Sequence, residues 1–290
     1  MSYSENLKQG EKGAWISIIA YILLSIAKLV IAQIGNSDAL RADGLNNASD
    51  VVASVAVLIG LKISRKPPDE DHPYGHYRVE TIASLFAAFI MMFIGLQVIF
   101  DTIKKIINGQ VSHSPDLLTA WTALVAAIVM FLVYRYNLNL SKKIESSSLN
   151  AAAQDNKSDA LVSIGAFVGI IGAQFGLFWL DPLAALVVGI IICKTAWEIF
   201  KESTLTLTDG FEESKLLEIK TSIGKVEEVK KVVDVKGRVH GNQSLLEVTV
   251  LVNPQLNVEQ SHHITEDIEN YLYKKHGITH AHIHIEPYHK

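Results

Sequence analysis

Six apolar stretches of this 290-residue chain are long enough to cross a bilayer, and nothing else in the sequence confines the fold so tightly. A spanning helix needs roughly 20 mostly apolar residues to cover a hydrocarbon core about 30 Å thick. The candidates are residues 14–34, 40–63, 81–107, 117–136, 147–173 and 177–200. The second and fifth qualify only if their polar residues are admitted to the membrane interior. The apolar residues crowd into the first 200 positions and charge is concentrated beyond Asp209. The chain therefore divides into a six-helix transmembrane domain, residues 1–208, and a soluble domain, residues 209–290.

Short loops rich in Lys and Arg stay on the cytoplasmic side. Lys8 and Lys12 precede the first span, Lys62, Arg65, Lys66 and Arg78 separate the second from the third, and Arg135, Lys142 and Lys143 the fourth from the fifth. Both termini are thus expected in the cytoplasm, with Arg41 and the Lys104–Lys105 pair running against the bias. The first apolar run is too long for a typical signal peptide and no small-residue cleavage pattern follows it, so it is expected to remain as an anchor. The single cysteine, Cys193, excludes an internal disulfide and reads as a small buried side chain of the sixth span.

From Glu212 the pattern becomes that of a small folded domain. An amphipathic helix carrying Leu216, Leu217, Ile219 and Ile223 leads into two strand-like runs, VKKVVDVKGRVHG and SLLEVTVLV. A second amphipathic helix ends in basic residues and Gly277, and HAHIHIEPY alternates as a strand. The order αββαβ predicts a two-layer α+β domain with helices on one face of an antiparallel or mixed sheet. A formal net charge of −4 and the lack of a basic, aromatic-laced stripe argue against a nucleic-acid partner.

The informative residues are the polar ones within the oil. Positions four apart share a helix face, so Asn46 and Asp50 project together from the second span, and Asp155 and Asp159 from the fifth. At 1.5 Å per residue Asp50 lies roughly 15 Å into its helix, near mid-bilayer. An Asp there costs on the order of 2.5 to 3.5 kcal/mol on insertion scales. Three such acids facing lipid would be untenable, so they are expected to face one another and a divalent cation. If Asn46 and Asp50 were only an interfacial cap, about a dozen apolar residues would remain before Lys62, too few to span. Asn47 and Asn156 point about 100° from that face and are expected to bond neighbouring helices or backbone. Asp43 reads as an interface residue, or as the lining of an external opening.

Together with DEDHPYGHYRVE between the second and third spans and the αββαβ tail, these residues resemble the cation diffusion facilitator family, over nearly the whole chain. The resemblance implies a homodimer of six-helix membrane domains with a metallochaperone-like, ferredoxin-like cytoplasmic domain, exporting divalent metal in exchange for protons. It implies a transport site of Asn46, Asp50, Asp155 and Asp159. Zinc-transporting members commonly carry a His with three Asp, and where that His would stand this chain has Asp155. Imidazole suits Zn²⁺, whereas oxygen donors suit the harder Mn²⁺, so the set is similar to the manganese-exporting branch. Zn²⁺, Fe²⁺ and Co²⁺ are the alternatives, since they bind a given site more tightly than Mn²⁺ in the usual series. Three mutually repelling acids are expected to retain a proton until metal displaces it, which supplies the antiport.

The resemblance further implies a second metal site at Asp69, His72 and His76, although Pro73 and Gly75 break any helix between the two histidines. In the tail it implies ligands at His262, His284 and Glu286, while Val233 and Thr249 stand where zinc members often place His. His263, His282 and His289 read as solvated side chains. Arg78 and Asp209 resemble a charge interlock of the family. No catalytic cofactor is expected; metal is the substrate and, in the loop and tail, a regulatory ligand. Two rival classes ask for different arrangements of acids. An intramembrane aspartyl protease needs just two acids sharing a proton, and a cation channel favours rings of acids over paired ligands on two helices. Compact loops and the absence of a targeting peptide suggest a bacterial inner membrane.

Overall fold

The computed structural model describes residues 3–64, 66–110, 114–144, 147–240 and 243–289. Arg65 and the side chains of Lys8 and Lys12 lie outside the described residues. Among the described residues eight helices and three strands follow one another as α1 (Tyr3–Gly35), α2 (Asp38–Ser64), α3 (Arg78–Ile107), α4 (Leu117–Ile144), α5 (Ser147–Gln174), α6 (Leu180–Leu207), α7 (Glu213–Ile223), β1 (Lys231–His240), β2 (Gln243–Val252), α8 (Val258–His276) and β3 (His280–Pro287). Two compact units emerge, one of Met1–Ala56 with Phe86–Glu198, the other of Val57–Leu85 with Ile199–Lys290.

The helical unit is apolar on the outside and small or polar within. Its buried positions are largely Ala, Ser and Asn, whereas Leu23, Phe86, Phe93, Phe100, Leu132 and Val168 lie exposed. That inversion suits a bundle bathed in lipid, where helices associate by close packing of small residues rather than by a hydrophobic drive. On α3 the buried stripe Ala87, Ala88, Met91, Gly95, Val98 and Thr102 recurs every three or four residues. At Gly95 an added Cβ would come within 2.6 Å of Cys193 Sγ on α6, so only glycine permits the approach. Cys193 is a free thiol, half-buried at that crossing.

Five of the helices, α1 to α4 and α6, are long and apolar enough to cross a membrane by length and composition alone. Helix α5 has 28 residues as well, and its polar residues keep it below that mark. Helix α4 runs to Ile144, past the expected end at Tyr136, and α6 to Leu207, past Phe200; once lipid ends, a helix can continue on ordinary propensity in water. Of the three cations that run against the charge bias, two are paired with a carboxylate, Arg41 with Asp101 at 3.3 Å and Lys105 with Asp38 at 2.5 Å.

The tail is the expected αββαβ unit. Its sheet has the order β1-β2-β3, antiparallel between β1 and β2 and parallel between β2 and β3. Alternate residues of β2, Leu246, Val248, Val250 and Val252, are buried against Ile219 and Ile223 of α7 and Ile264, Ile268 and Leu272 of α8. Helix α8 opens on a capping box between Asn257 and Gln260 and closes on Gly277 at φ 67°, a left-handed end that favours glycine.

Candidate metal centre

The second and fifth helices do bring acids together, and the first helix, which carries none between Ala14 and Gly35, holds them. Asp159 on α5 is 6% exposed, and both its oxygens are occupied: Asn46 Nδ2 on α2 donates to Oδ1 at 2.9 Å, and the Tyr21 hydroxyl on α1 donates to Oδ2 at 2.8 Å. Tyr21 accepts in turn from Asn156 Nδ2 at 2.9 Å, which fixes its own proton toward Asp159. Asn156 Oδ1 takes hydrogen bonds from Ser17 at 3.0 Å and from Asn137 on α4 at 3.1 Å. A chain of side chains from α1, α4 and α5 thus orients one carboxylate.

Asp50 stands close enough to Asp159 and Asp155 for their charges to act on one another, yet its Oδ2 is buried without a hydrogen-bond partner among the described residues. A shielded carboxylate oxygen left unbonded carries a large desolvation penalty that a bound cation removes. Asp155 is exposed. Asn46, Asp50 and Asp159 therefore gather at mid-helix, while Asp155 lies at the rim.

One turn earlier on α2 is a second buried cluster that the sequence reading did not find. Lys28 of α1 is fully buried, and its Nζ meets Asp43 Oδ1 at 2.8 Å, Asn47 Oδ1 at 2.6 Å and Ser163 Oγ at 3.0 Å. Ser163 also donates to Asp43 at 3.2 Å. Asp43 is thus neither an interface residue nor the lining of an opening: it is 0% exposed and ion-paired. The correction is physical, since a carboxylate at that depth needs a counter-charge. The signal in the sequence was Lys28 itself, the lone charge between Ala14 and Gly35. Tyr21, Ser163 and Asn137 gave none beyond being polar in an apolar run.

The loop before α3 brings its three residues together despite Pro73 and Gly75. Asp69 accepts the backbone N–H of His72 through Oδ1 at 2.8 Å, and Gly75 closes the turn at φ 81° with its N–H on His72 O. The bend sets His72 Nδ1 2.9 Å from Asp69 Oδ1 and His76 Nε2 3.3 Å from Asp69 Oδ2, with the two rings 4.2 Å apart. One donor atom from each residue falls within 4.8 Å of the others, and among the described residues no other three His, Cys, Asp or Glu converge so closely. His76 Nδ1 is buried without a hydrogen-bond partner among the described residues. The hydrogen bond from His72 holds the Asp69 carboxyl below the usual carboxylate range.

The tail residues do not converge in this way. His284 Nε2 lies 3.5 Å from Glu286 Oε1, while His262 Nε2 faces Glu266 Oε1 of its own helix at 3.5 Å, and all are exposed. His263 likewise turns to Glu266, at 3.2 Å. Arg78 and Asp209 form an ion pair, both partly exposed, with Asp209 at φ 57°. His240 of β1 packs on Tyr77 and Tyr74, ring centroids 5.5 and 6.4 Å away, and burial, with Arg78 and Arg238 nearby, pushes its imidazole below the ordinary value.

Two family profiles cover almost the entire chain, the cation efflux transmembrane domain over residues 14–208 and the cation efflux protein cytoplasmic domain over residues 211–288. Among curated proteins, the chain is 52% identical over 287 residues to the manganese efflux system protein MneS of Bacillus subtilis, covering 99% of each. It is 50% identical to the uncharacterized transporter YdbO of the same organism, again over 99% of both, and 31% identical to its manganese efflux system protein MneP over 98% of both.

Proposed function

The chain belongs to the cation efflux family, whose members are transporters, and from that premise we propose that it exports Mn²⁺ through the site of Asn46, Asp50, Asp155 and Asp159, exchanging it for protons by alternating access. Export of a divalent metal follows from the family and from its manganese-exporting relatives. The observation that carries the finer reading is the all-oxygen donor set, with Asp50 Oδ2 buried and unbonded beside Asp159. Hard oxygen donors without imidazole or thiolate suit Mn²⁺ better than Zn²⁺. A cation drawn to Asp50 would take Asp159 from Tyr21 or Asn46, and Asp155 at the rim supplies a carboxylate that can swing in. Protons returning to the same oxygens from the far side would release the metal, which is the antiport.

The division at residue 208, cytoplasmic termini, a bacterial inner membrane and a homodimer belong to the same proposal. The dimer is supported by the match of the tail to the family's cytoplasmic domain. The trio Asp69, His72 and His76 is proposed as a second metal site, and His284 with Glu286 as part of a tail site that His262 would have to join from elsewhere. The test is purified protein in vesicles, assayed for Mn²⁺, Zn²⁺, Fe²⁺ and Co²⁺ uptake with and without an imposed pH gradient. Saturable Mn²⁺ flux that follows the gradient is expected. Flux indifferent to the gradient ends the antiport, and flux of Zn²⁺ alone ends the manganese assignment.

A further inference from the structure

The buried cluster around Lys28 has no part in holding metal in the reading above, yet it joins the same helices that carry the site. Asp43 precedes Asn46 by three residues on α2, and Ser163 follows Asp159 by four on α5. Because α2 runs away from the α1–α2 turn and α5 runs toward the α5–α6 turn, both displacements lead to the same end of the bundle, by about one helical turn. At that end the connections meet: Asp116 N–H bonds Gly35 O at 2.8 Å, and the Gln174 amide donates to Pro115 O. Between Lys28 and these turns lies a dry layer of Ala32, Leu40, Ala120, Ala123, Ala166 and Ile170, all at most 3% exposed. At the opposite side of the site Asp155 is exposed. The bundle is therefore closely packed on the turn side, while the acid on the other side of the site is exposed.

We propose that the buried Lys28–Asp43 ion pair, braced by Asn47 and Ser163, is the latch that closes the transport site on the side of the interhelical turns and must part for metal to leave there. The inference rests on the transport reading. The pair spans α1 and α2, and Ser163 ties it to α5, so separating the site helices at this end pulls the ammonium from its partners. A buried ammonium without a counter-charge is strongly unfavourable, whereas in water both charges are solvated. The pair is thus stable either dry and joined or wet and apart, two discrete states rather than a continuum. Removing an interaction present in only one state shifts the population toward the other.

The test uses the full-length chain with Cys193→Ala and Ser163→Cys, leaving one thiol in the latch. A membrane-impermeant methanethiosulfonate reagent is applied to vesicles from the turn side and, separately, from the other side. With Lys28 and Asp43 intact, labelling from the turn side is slow. In Lys28→Met with Asp43→Asn, which removes both charges together and leaves none uncompensated, that rate rises at least tenfold, while the rate from the other side stays within twofold and the Mn²⁺ dissociation constant by calorimetry within about threefold. Labelling from the turn side that changes less than twofold overturns the latch, as does a rise that is equal from both sides, which marks general loosening. If the double variant fails to reach the membrane, Asp43→Asn alone, which keeps an oxygen for the ammonium, is expected to raise turn-side labelling about threefold, and no change there overturns the proposal. Absence of Mn²⁺ flux in the unaltered chain defeats the transport reading instead and leaves the labelling result standing.

Discussion

Asp159 and Asp69 are both aspartates bonded on each oxygen, yet the first is 6% exposed inside a helical bundle and the second has a side chain 52% exposed on a loop. Asp159 is held from a distance in sequence, by Tyr21 and Asn46, which lie 138 and 113 residues away. Asp69 is held by its own turn, through His72 three residues on. The difference lies in what a lost contact leaves behind. In the bundle, deleting one member strands a polar atom where water cannot reach it, so the whole cluster is at stake. On the loop, water takes the vacated place and the damage stays local.

The comparison is broken most directly at the acids themselves. Asp50→Ala or Asp159→Ala is expected to reduce metal flux in vesicles by at least about 100-fold, the loss of a charged ligand being worth about 3 kcal/mol or more, with unchanged helical circular dichroism. Flux within tenfold of the unaltered chain would exclude the bundle cluster as the site. Tyr21→Phe removes one hydrogen bond to a charged group, about 1.5–3 kcal/mol, so Mn²⁺ affinity measured by calorimetry should change about tenfold or more, in either direction as Asp159 is freed for metal or lost to disorder; an unaltered affinity shows that Tyr21 does not orient Asp159. His76→Ala sharpens the contrast from the other side. It is expected to abolish metal binding at the loop, read by calorimetry on the Asp50→Ala background, while saturating flux on the unaltered background stays within about threefold.

Acid supplies a milder probe, in the tail. His240 is held neutral by burial beside Tyr77 and by two arginines, so its folded value lies below its unfolded one. Such a group contributes stability that is complete above the ordinary histidine range and is lost as pH falls from about 6.5 through the depressed value. The protection of β1 amides, their exchange measured against the intrinsic rate at each pH, is therefore expected to fall between pH 7.5 and 5.5, and His240→Gln to flatten that fall; unchanged protection in the unaltered chain refutes it. The smallest effect is expected at Arg78→Ala. That pair is partly solvated, so thermal unfolding should register under about 1 kcal/mol.

Much of the architecture is legible because the bilayer and the sheet each impose a period. Runs of apolar residues mark the spans, and the alternation from Leu246 to Val252 marks the central strand. Legibility fails where partners are remote. Asn156 was expected to bond a neighbouring helix, and it does, but nothing in the sequence says that the neighbours are Tyr21, Ser17 and Asn137. Lys28 and Asp43 each read as an anomaly, and only the packing of α1 on α2 turns two anomalies into one pair. The four-residue spacing of Asp155 and Asp159 is real and puts both on one face, yet neighbouring helices cover that face only at Asp159, so one acid is buried and its partner is not. The loop trio was legible only through resemblance, because the turn that gathers it depends on Asp69 accepting from the His72 backbone.

Asp181, at the start of α6, accepts from the Ser37 hydroxyl at 2.6 Å and from the backbone N–H groups of Asp38 and Ala39 at 2.7 and 3.4 Å. A carboxylate borrowed from one rod thereby stoppers the amide end of another, complementing the positive pole of α2. With that bond 3% exposed, α2 cannot slide along its axis without dragging α6 or orphaning the acid. Any parting of α2 from α1 at this end therefore takes the start of α6 along with it, so the two rods act there as one piece.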